Sequence, residues 1–188
     1  MKKLSLVFIL TFLSGVLPRL SYAQVPVKIE SGMIRINDGS FKTDPQKYAL
    51  VADSLDKVLK INGKDTTALF SRAMIYLSFN DLLAKPFQGT KGALENLVIA
   101  KDLAEKAITL KMQNFNLKVL RAQIYSELTY RFTGDESWKY NAKQIVERKS
   151  QFNAYKERAN TYYSELMEID KPNAYDYEKL KVTTKYPL

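Results

Sequence analysis

The stretch RAMIY at residues 72–76 returns almost unchanged as RAQIY at residues 121–125, which lies 49 positions later. The similarity extends upstream, because DKVLKI at 56–61 matches EKAITL at 105–110 at the same interval. In both copies a helical apolar pattern ends in a short turn, and a second helical pattern begins after it. The recurrence therefore predicts one helical hairpin that is used more than once in an all-α chain.

A further copy lies near the end of the chain, where ELMEID at 165–170 is followed by KPNAYDY. Tracing the copies back aligns Val51, Ala100 and Ala159, at intervals of 49 and 59 residues. Small residues at such positions allow two helix backbones to approach closely, and larger neighbours fill the adjoining space. The pattern predicts helix pairs that pack tightly at equivalent points.

These motifs resemble the tetratricopeptide repeat (TPR), a family of stacked helical hairpins. Ala73 with Tyr76, and Ala122 with Tyr125, resemble the small residue and the aromatic residue of the family's first helix. The family's second helix and turn are approximated by Ala159, Tyr163, Leu166 and DKPNA at 170–174. The resemblance implies antiparallel helical hairpins stacked as a short TPR-like solenoid.

The chain also departs from the family pattern. The family period is about 34 residues, so the intervals of this chain imply insertions of about 15 and 25 residues. Lys118 stands where the family's first helix often has a large apolar residue. The alternative is an ordinary helical bundle in which the pentapeptide recurs by chance.

Periodicity and capping residues predict six helices between residues 45 and 182, followed by a C-terminal tail at 183–188. Asp44 as N-cap and Pro45 as first helical residue open the first helix, which ends at Asn62. The fifth helix is expected from about Glu136, either continuous or broken near Ser150. The other four are expected at about Thr67–Leu83, Gly92–Leu110, Asn116–Phe132 and Ala174–Lys181.

Residues 1–23 have the layout of a secretory signal peptide. Two lysines follow Met1, the run at 4–17 is almost wholly apolar, and small residues precede the expected cleavage site after Ala23. The apolar run is short for a membrane span. We expect cleavage and export to the periplasm or the medium, with an uncleaved N-terminal anchor as the alternative. A lipid-anchored lipoprotein is excluded because the chain has no cysteine.

Residues 24–44 have a different pattern from the helical part. Val25, Val27 and Ile29 alternate with other residues, and Ser31-Gly32 is a turn signal. The pattern predicts a short β-hairpin or an extended arm that packs on the helices.

Composition argues against catalysis and against cofactors. The chain contains no histidine and no cysteine, which removes imidazole- and thiolate-based catalysis, zinc sites and redox pairs. The adjacent Asp135 and Glu136 fit capping of a helix start better than a pair of catalytic carboxylates. We expect a non-enzymatic protein without a metal or cofactor.

The charge of the chain does not suggest a nucleic-acid partner. The 29 basic and 20 acidic residues give a net charge of +9, and three of the basic residues belong to the predicted signal peptide. The expected mature chain therefore has 26 basic and 20 acidic residues, a net charge of +6 that is spread along the sequence. A nucleic-acid binder typically has a clustered basic stripe. No second apolar stretch is long enough for a membrane span, so no transmembrane segment is expected after cleavage.

The TPR resemblance implies a groove that holds a peptide or an apolar segment of another protein. The alternative is that Phe70 and Met74 are ordinary core residues. The arm at 24–44 is a further candidate occupant of the groove. By register, the groove would be lined by Phe70, Met74, Ser78, Asn116, Val119, Gln123 and Glu127.

The segment at 130–140 concentrates aromatic residues around a turn, with cationic neighbours. Exposed aromatic rings of this kind stack on sugars or anchor a partner, whereas buried ones hold a turn onto the core. The rings of the segment belong to Tyr130, Phe132, Trp138 and Tyr140.

The sequence therefore favours an exported, non-catalytic TPR-like scaffold that binds another protein in the cell envelope. The alternative is a carbohydrate- or glycan-binding module that uses the aromatic segment. The sequence leaves the oligomeric state open.

Overall fold

A β-hairpin and six α-helices make up the computed structural model, which describes residues 25–39, 44–84, 88–134 and 137–187. The predicted signal peptide at 1–23 lies outside the described residues. Two short 3-10 helices, Ser137–Lys139 and Lys171–Asn173, flank the fifth α-helix. The elements are β1 Val27–Glu30, β2 Met33–Ile36, α1 Pro45–Ile61, α2 Thr66–Ala84, α3 Ala93–Thr109, α4 Phe115–Tyr130, α5 Ala142–Ile169 and α6 Ala174–Leu180.

The all-α fold class is confirmed, because helices make up most of the described chain. The first helix starts where its capping residues predict. Asp44 Oδ1 accepts a hydrogen bond of 2.9 Å from the Gln46 N–H, and Pro45 occupies the first helical turn. Proline suits that position because the first-turn N–H groups have no partner within the helix.

The predicted start of α5 near Glu136 is wrong, because the helix begins at Ala142. Asn141 and Gln144 form a capping box in which each side chain bonds the other residue's N–H, at 3.0 and 2.9 Å. This reciprocal pair fixes the helix start. No break occurs near Ser150, and α5 is one continuous helix of 28 residues.

Consecutive helices pack against each other along the chain. The most extensive contacts join α2 to α3 and α4 to α5, and we call these helices the first pair and the second pair. Helix α3 also packs on α4, so the two pairs are in contact. Helix α1 packs on α2, and α6 packs on α5.

Both alanines of the recurring pentapeptide are fully buried. Ala73 in α2 and Ala122 in α4 have no exposed surface, and the same is true of Ala100 and Ala159 in the helices that follow. A methyl group at these points leaves room for the neighbouring backbone to approach.

An ion pair between helices recurs at the interval of the pentapeptide. Arg72 Nε lies 2.7 Å from Asp56 Oδ1, and 49 positions later Arg121 Nη1 lies 3.8 Å from Glu105 Oε2. In each case an acidic residue of one helix meets the arginine of the next. The Asp56 side chain is 52% exposed, so the pair contributes little to stability and serves mainly as a marker of equivalent geometry.

The β-hairpin turns at Ser31 and Gly32, which both have positive φ, of 50° and 75°. Two such residues between antiparallel strands are typical of a type I′ turn, whose twist suits a hairpin. Glu30 pairs with Met33 across the turn. Residues 24–44 were expected to form either a short β-hairpin or an extended arm, and residues 27–36 form the hairpin.

Alternation gives the hairpin one apolar face and one polar face. The register pairs Val27 with Ile36 and Ile29 with Ile34, and all four side chains pack on the helical core. The opposite face carries charged side chains, because successive residues of a strand point to opposite sides.

The C-terminal tail lies along α5. Asn160 Oδ1 accepts a 2.7 Å hydrogen bond from the Val182 N–H, and Asn160 Nδ2 donates to the Val182 carbonyl at 3.0 Å. Lys156 Nζ donates to the carbonyls of Thr183 and Thr184. Within the part of the chain that the structure describes, no helix is both long enough and apolar enough to cross a membrane.

The buried alanines lead to a stability prediction. Replacing Ala122 with leucine places three extra carbon atoms in a closed helix contact, and we expect the free energy of unfolding to fall by about 2 kcal/mol. The measurement is urea unfolding followed by circular dichroism. Ala142→Leu at an exposed position of α5 is the control and should stay within about 0.5 kcal/mol of wild type. Equal effects at the two positions would contradict the tight crossing.

Candidate functional site

The seven residues predicted to line a groove come from α2 and α4. Phe70, Met74 and Val119 are buried in the core together with Ile34 of the hairpin. The remaining four are partly buried: Ser78, Asn116, Gln123 and Glu127. The burial of Phe70 and Met74 agrees with the alternative that they are core residues. The partner-binding role of the set stays a prediction.

The hairpin covers this groove. Strand β2 contacts both α2 and α4, and the Ile34 N–H donates a 2.9 Å hydrogen bond to Gln123 Oε1. In an antiparallel hairpin, hydrogen-bonded and non-hydrogen-bonded residue pairs alternate, and the pair next to a two-residue turn is hydrogen-bonded. Glu30 and Met33 form that pair, so Ile29 and Ile34 form a non-hydrogen-bonded pair. The Ile34 N–H therefore points away from strand β1. An outside partner therefore reaches Phe70, Met74 and Val119 only when the hairpin leaves.

The hairpin turn meets the last helix. A Cβ built on Gly32 would lie 2.9 Å from Leu180 Cδ1 and 3.2 Å from Tyr177 Cδ1. A side chain at this position would press on Leu180 and Tyr177 and would be strained by the positive φ. Tyr177 is itself fixed, since its hydroxyl donates a 2.8 Å hydrogen bond to Asp170 Oδ2. The hairpin thus touches α2, α4 and α6.

A second concavity lies on the other side of α2, about 180° around the helix from Phe70. It is an apolar cleft of about 420 Å³ between α1, α2 and α3, within the usual size range of ligand pockets. The sequence gives no signal for this cleft, because none of its positions differs from those of an ordinary helix contact. The cleft is lined by Pro45, Tyr48, Ala49, Ala52, Arg72, Ile75, Tyr76, Phe79 and Asn96.

The second pair has a smaller cleft at the equivalent place. Lys101, Tyr125 and Tyr155 line a concavity of about 260 Å³, and they are the equivalents of Ala52, Tyr76 and Asn96. Tyr155 fills space there, because its ring lies edge-on to Tyr125 with centroids 6.0 Å apart. The first pair has Asn96 at the position of this tyrosine, and its cleft is the larger of the two.

The polar groups at the apolar cleft include the Tyr48 hydroxyl and the Arg72 guanidinium. The Tyr48 hydroxyl donates a 3.1 Å hydrogen bond to Asp38 Oδ2. Burial, with the Asp38 hydrogen bond and charge as smaller causes, raises the pKa of Tyr48 to about 12, so the phenol is neutral at physiological pH. The Arg72 guanidinium lies 4.2 Å from the centre of the Tyr76 ring and is paired with Asp56.

The aromatic residues of the 130–140 segment separate into two environments. Phe132 is buried, and Arg148 lies 4.7 Å from its ring centre and 4.2 Å from that of Tyr140. Trp138 is 74% exposed and Tyr130 is 47% exposed. Phe132 therefore belongs to the core, and the outward rings are those of Tyr130 and Trp138. Asp135 and Glu136 lie outside the described residues.

An aromatic cluster joins α4 to α5. The Tyr125 ring contacts the Tyr162 ring edge-on at 5.3 Å, and Arg121 lies 3.7 Å from the centre of Tyr162. Arg158 Nη1 donates a 3.1 Å hydrogen bond to the Tyr125 hydroxyl. Burial raises the pKa of Tyr125, against the opposing effect of Arg158. The cluster joins the two helices of the second pair through ring contacts and the Arg158 hydrogen bond.

No family model, no curated protein and no solved structure matches this chain. The resemblance to the TPR family therefore rests on the residues of this chain.

The comparison of the two clefts predicts the effect of a filling substitution. Asn96→Tyr places an aromatic ring where Tyr155 lies in the second pair, and we expect about 1 kcal/mol of added stability and a rise in Tm of about 3 °C. The measurement is thermal unfolding followed by circular dichroism. The control is Asn96→Ala, because the Asn96 side chain makes no hydrogen bond within the described residues. A lower Tm for the tyrosine variant than for the alanine variant would contradict the equivalence.

Proposed function

We propose that this chain is an exported, non-catalytic TPR-like scaffold that binds a segment of another protein in the cell envelope. One observation supports the proposal most strongly: the groove between α2 and α4 holds an extended polypeptide segment, the chain's own hairpin. The groove receives apolar side chains and bonds a backbone N–H. These are the contacts by which helical and sheet surfaces bind peptides.

The repeated geometry supports the TPR-like part of the proposal. The buried alanines Ala73 and Ala122 and the two arginine–carboxylate pairs recur at the same interval of 49 residues. Under this proposal the two pairs stack as a short solenoid, with α1 before them and α6 after them. A solenoid offers an extended surface, which is the usual use of such repeats.

The remaining parts of the proposal rest on the sequence. The signal-peptide pattern of residues 1–23 supports export, and the absence of histidine and cysteine supports a non-catalytic role. The net charge of +6 expected for the mature chain is spread along it, which favours a protein partner over a nucleic acid.

Site-specific photo-crosslinking in cells tests the proposed function. A photoreactive phenylalanine analogue replaces Ser78 or Asn116, two partly buried residues of the groove, and Lys57 on the exposed side of α1 is the control. We expect one discrete cross-linked protein from the groove positions and none from Lys57, because a bound segment lies next to the groove only. Mass spectrometry identifies the product.

Identical products from the groove and from Lys57 would show non-specific contact and would contradict the proposal. An absence of products at both groove positions, in a chain shown to be exported and folded, would contradict it as well.

A second candidate function is glycan binding through the outward rings of Tyr130 and Trp138. The observation in its favour is the high exposure of Trp138, because a large aromatic ring so open to solvent is available for stacking. Trp138 is the only tryptophan of the chain, so its fluorescence reports on this place alone.

Fluorescence titration with envelope glycans tests the second candidate. We expect a shift of the tryptophan emission on binding, and Tyr130→Ala should weaken binding about three- to tenfold through the loss of one stacking ring. The control is Tyr175→Ala, since Tyr175 in α6 is a tyrosine even more exposed than Tyr130 and lies outside the segment. An emission maximum that no glycan changes would rule out this function.

A further inference from the structure

We infer that the β-hairpin is an exchangeable occupant of the groove between α2 and α4, and that the groove takes an extended β segment of a partner protein with apolar residues at alternate positions. This inference rests on the proposed protein-binding function and names the class of partner segment.

The groove contacts its present occupant mainly through the shape of the hairpin and through apolar side chains at alternate positions. The apolar face of the hairpin supplies four β-branched side chains, and one backbone N–H, that of Ile34, bonds Gln123. A backbone hydrogen bond does not depend on the side chain, and β-branched residues share the same pleated fit. A segment with another sequence but the same alternation therefore meets the same contacts.

The hairpin is an addition to the helical core. The contacts of α2 with α3, of α3 with α4 and of α4 with α5 join helices directly and do not pass through the strands. A two-stranded hairpin alone is marginally stable in water, so its order depends on docking. Departure of the hairpin is therefore a local opening that leaves the helix contacts in place.

A substitution at Gly32 would release the hairpin without changing Phe70, Met74 or Val119, the buried residues of the groove. Any side chain at this position meets Leu180 and Tyr177 and is strained by the φ of +75°. Gly39 has nearly the same φ, +78°, but a Cβ there meets nothing within 4 Å. Valine at position 39 thus reproduces the backbone strain without the clash, and Gly39→Val is the matched control.

The experiment uses the full mature chain as wild type, Gly32→Val and Gly39→Val. The probe is a fluorescent synthetic peptide with the sequence of residues 25–37, VPVKIESGMIRIN. The tethered hairpin competes at an effective concentration in the millimolar range. We therefore expect Gly32→Val to bind the peptide at least about tenfold more tightly than wild type and Gly39→Val to behave like wild type.

A second peptide has Asp in place of Ile29 and Ile34. It tests whether binding to the groove depends on the apolar face, and we expect this peptide not to bind. Ile34→Asp in the full chain releases the hairpin by a different route, since Ile34 is buried. If Gly32→Val does not fold, Ile34→Asp tests whether the released groove binds the peptide. Circular dichroism measures the helical content of both variants.

Four results would overturn the inference. The first is a folded Gly32→Val or Ile34→Asp chain that does not bind the peptide, and the second is equal binding by wild type and both glycine variants. Equal binding of the two peptides is the third. The fourth is a dimer of Gly32→Val that forms by exchange of hairpins, which would make a second copy of the chain the occupant.

The peptide experiment and the cross-linking experiment can fail independently of each other. A partner cross-linked at Ser78, together with failure of the peptide experiment, would retain the protein-binding function and refute exchange of the hairpin. Peptide binding without any cross-linked partner would establish an exchangeable groove and refute the envelope partner.

Discussion

The close approach of helices at fully buried alanines is the constraint on which the rest of the structure depends. Ala73 and Ala122 have no exposed surface, and each stands beside an arginine that pairs with a carboxylate of the preceding helix. A larger side chain at either position would separate the helices, because protein interiors have little free volume.

The two concave surfaces beside α2 differ in what occupies them. On one side of α2, Phe70 and Met74 share the buried core with Ile34 of the hairpin, whose N–H is bonded to Gln123. On the other side, the cleft beside Phe79 lacks the tyrosine that fills its equivalent in the second pair. The groove between α2 and α4 is the better candidate for partner binding, because its present occupant already shows which chemistry it accepts.

Local signals in the sequence predicted the helices well. Asp44 and Pro45 open α1 as expected, because capping and proline preferences involve residues next to each other. The start of α5 was misplaced although its capping box, Asn141 with Gln144, is equally local. The aromatic segment was harder to interpret, since nothing in its sequence separates buried Phe132 from exposed Trp138.

The sequence by itself determined the helical class and the repeated pentapeptide, because periodicity and spacing along one helix are properties of neighbouring residues. Only the tertiary structure decided that the hairpin occupies the groove and that an apolar cleft lies on the other side of α2. The hydrogen bond from Ile34 to Gln123 joins residues 89 positions apart. A contact at that separation depends on how α2 and α4 are placed together, which no stretch of the sequence specifies alone.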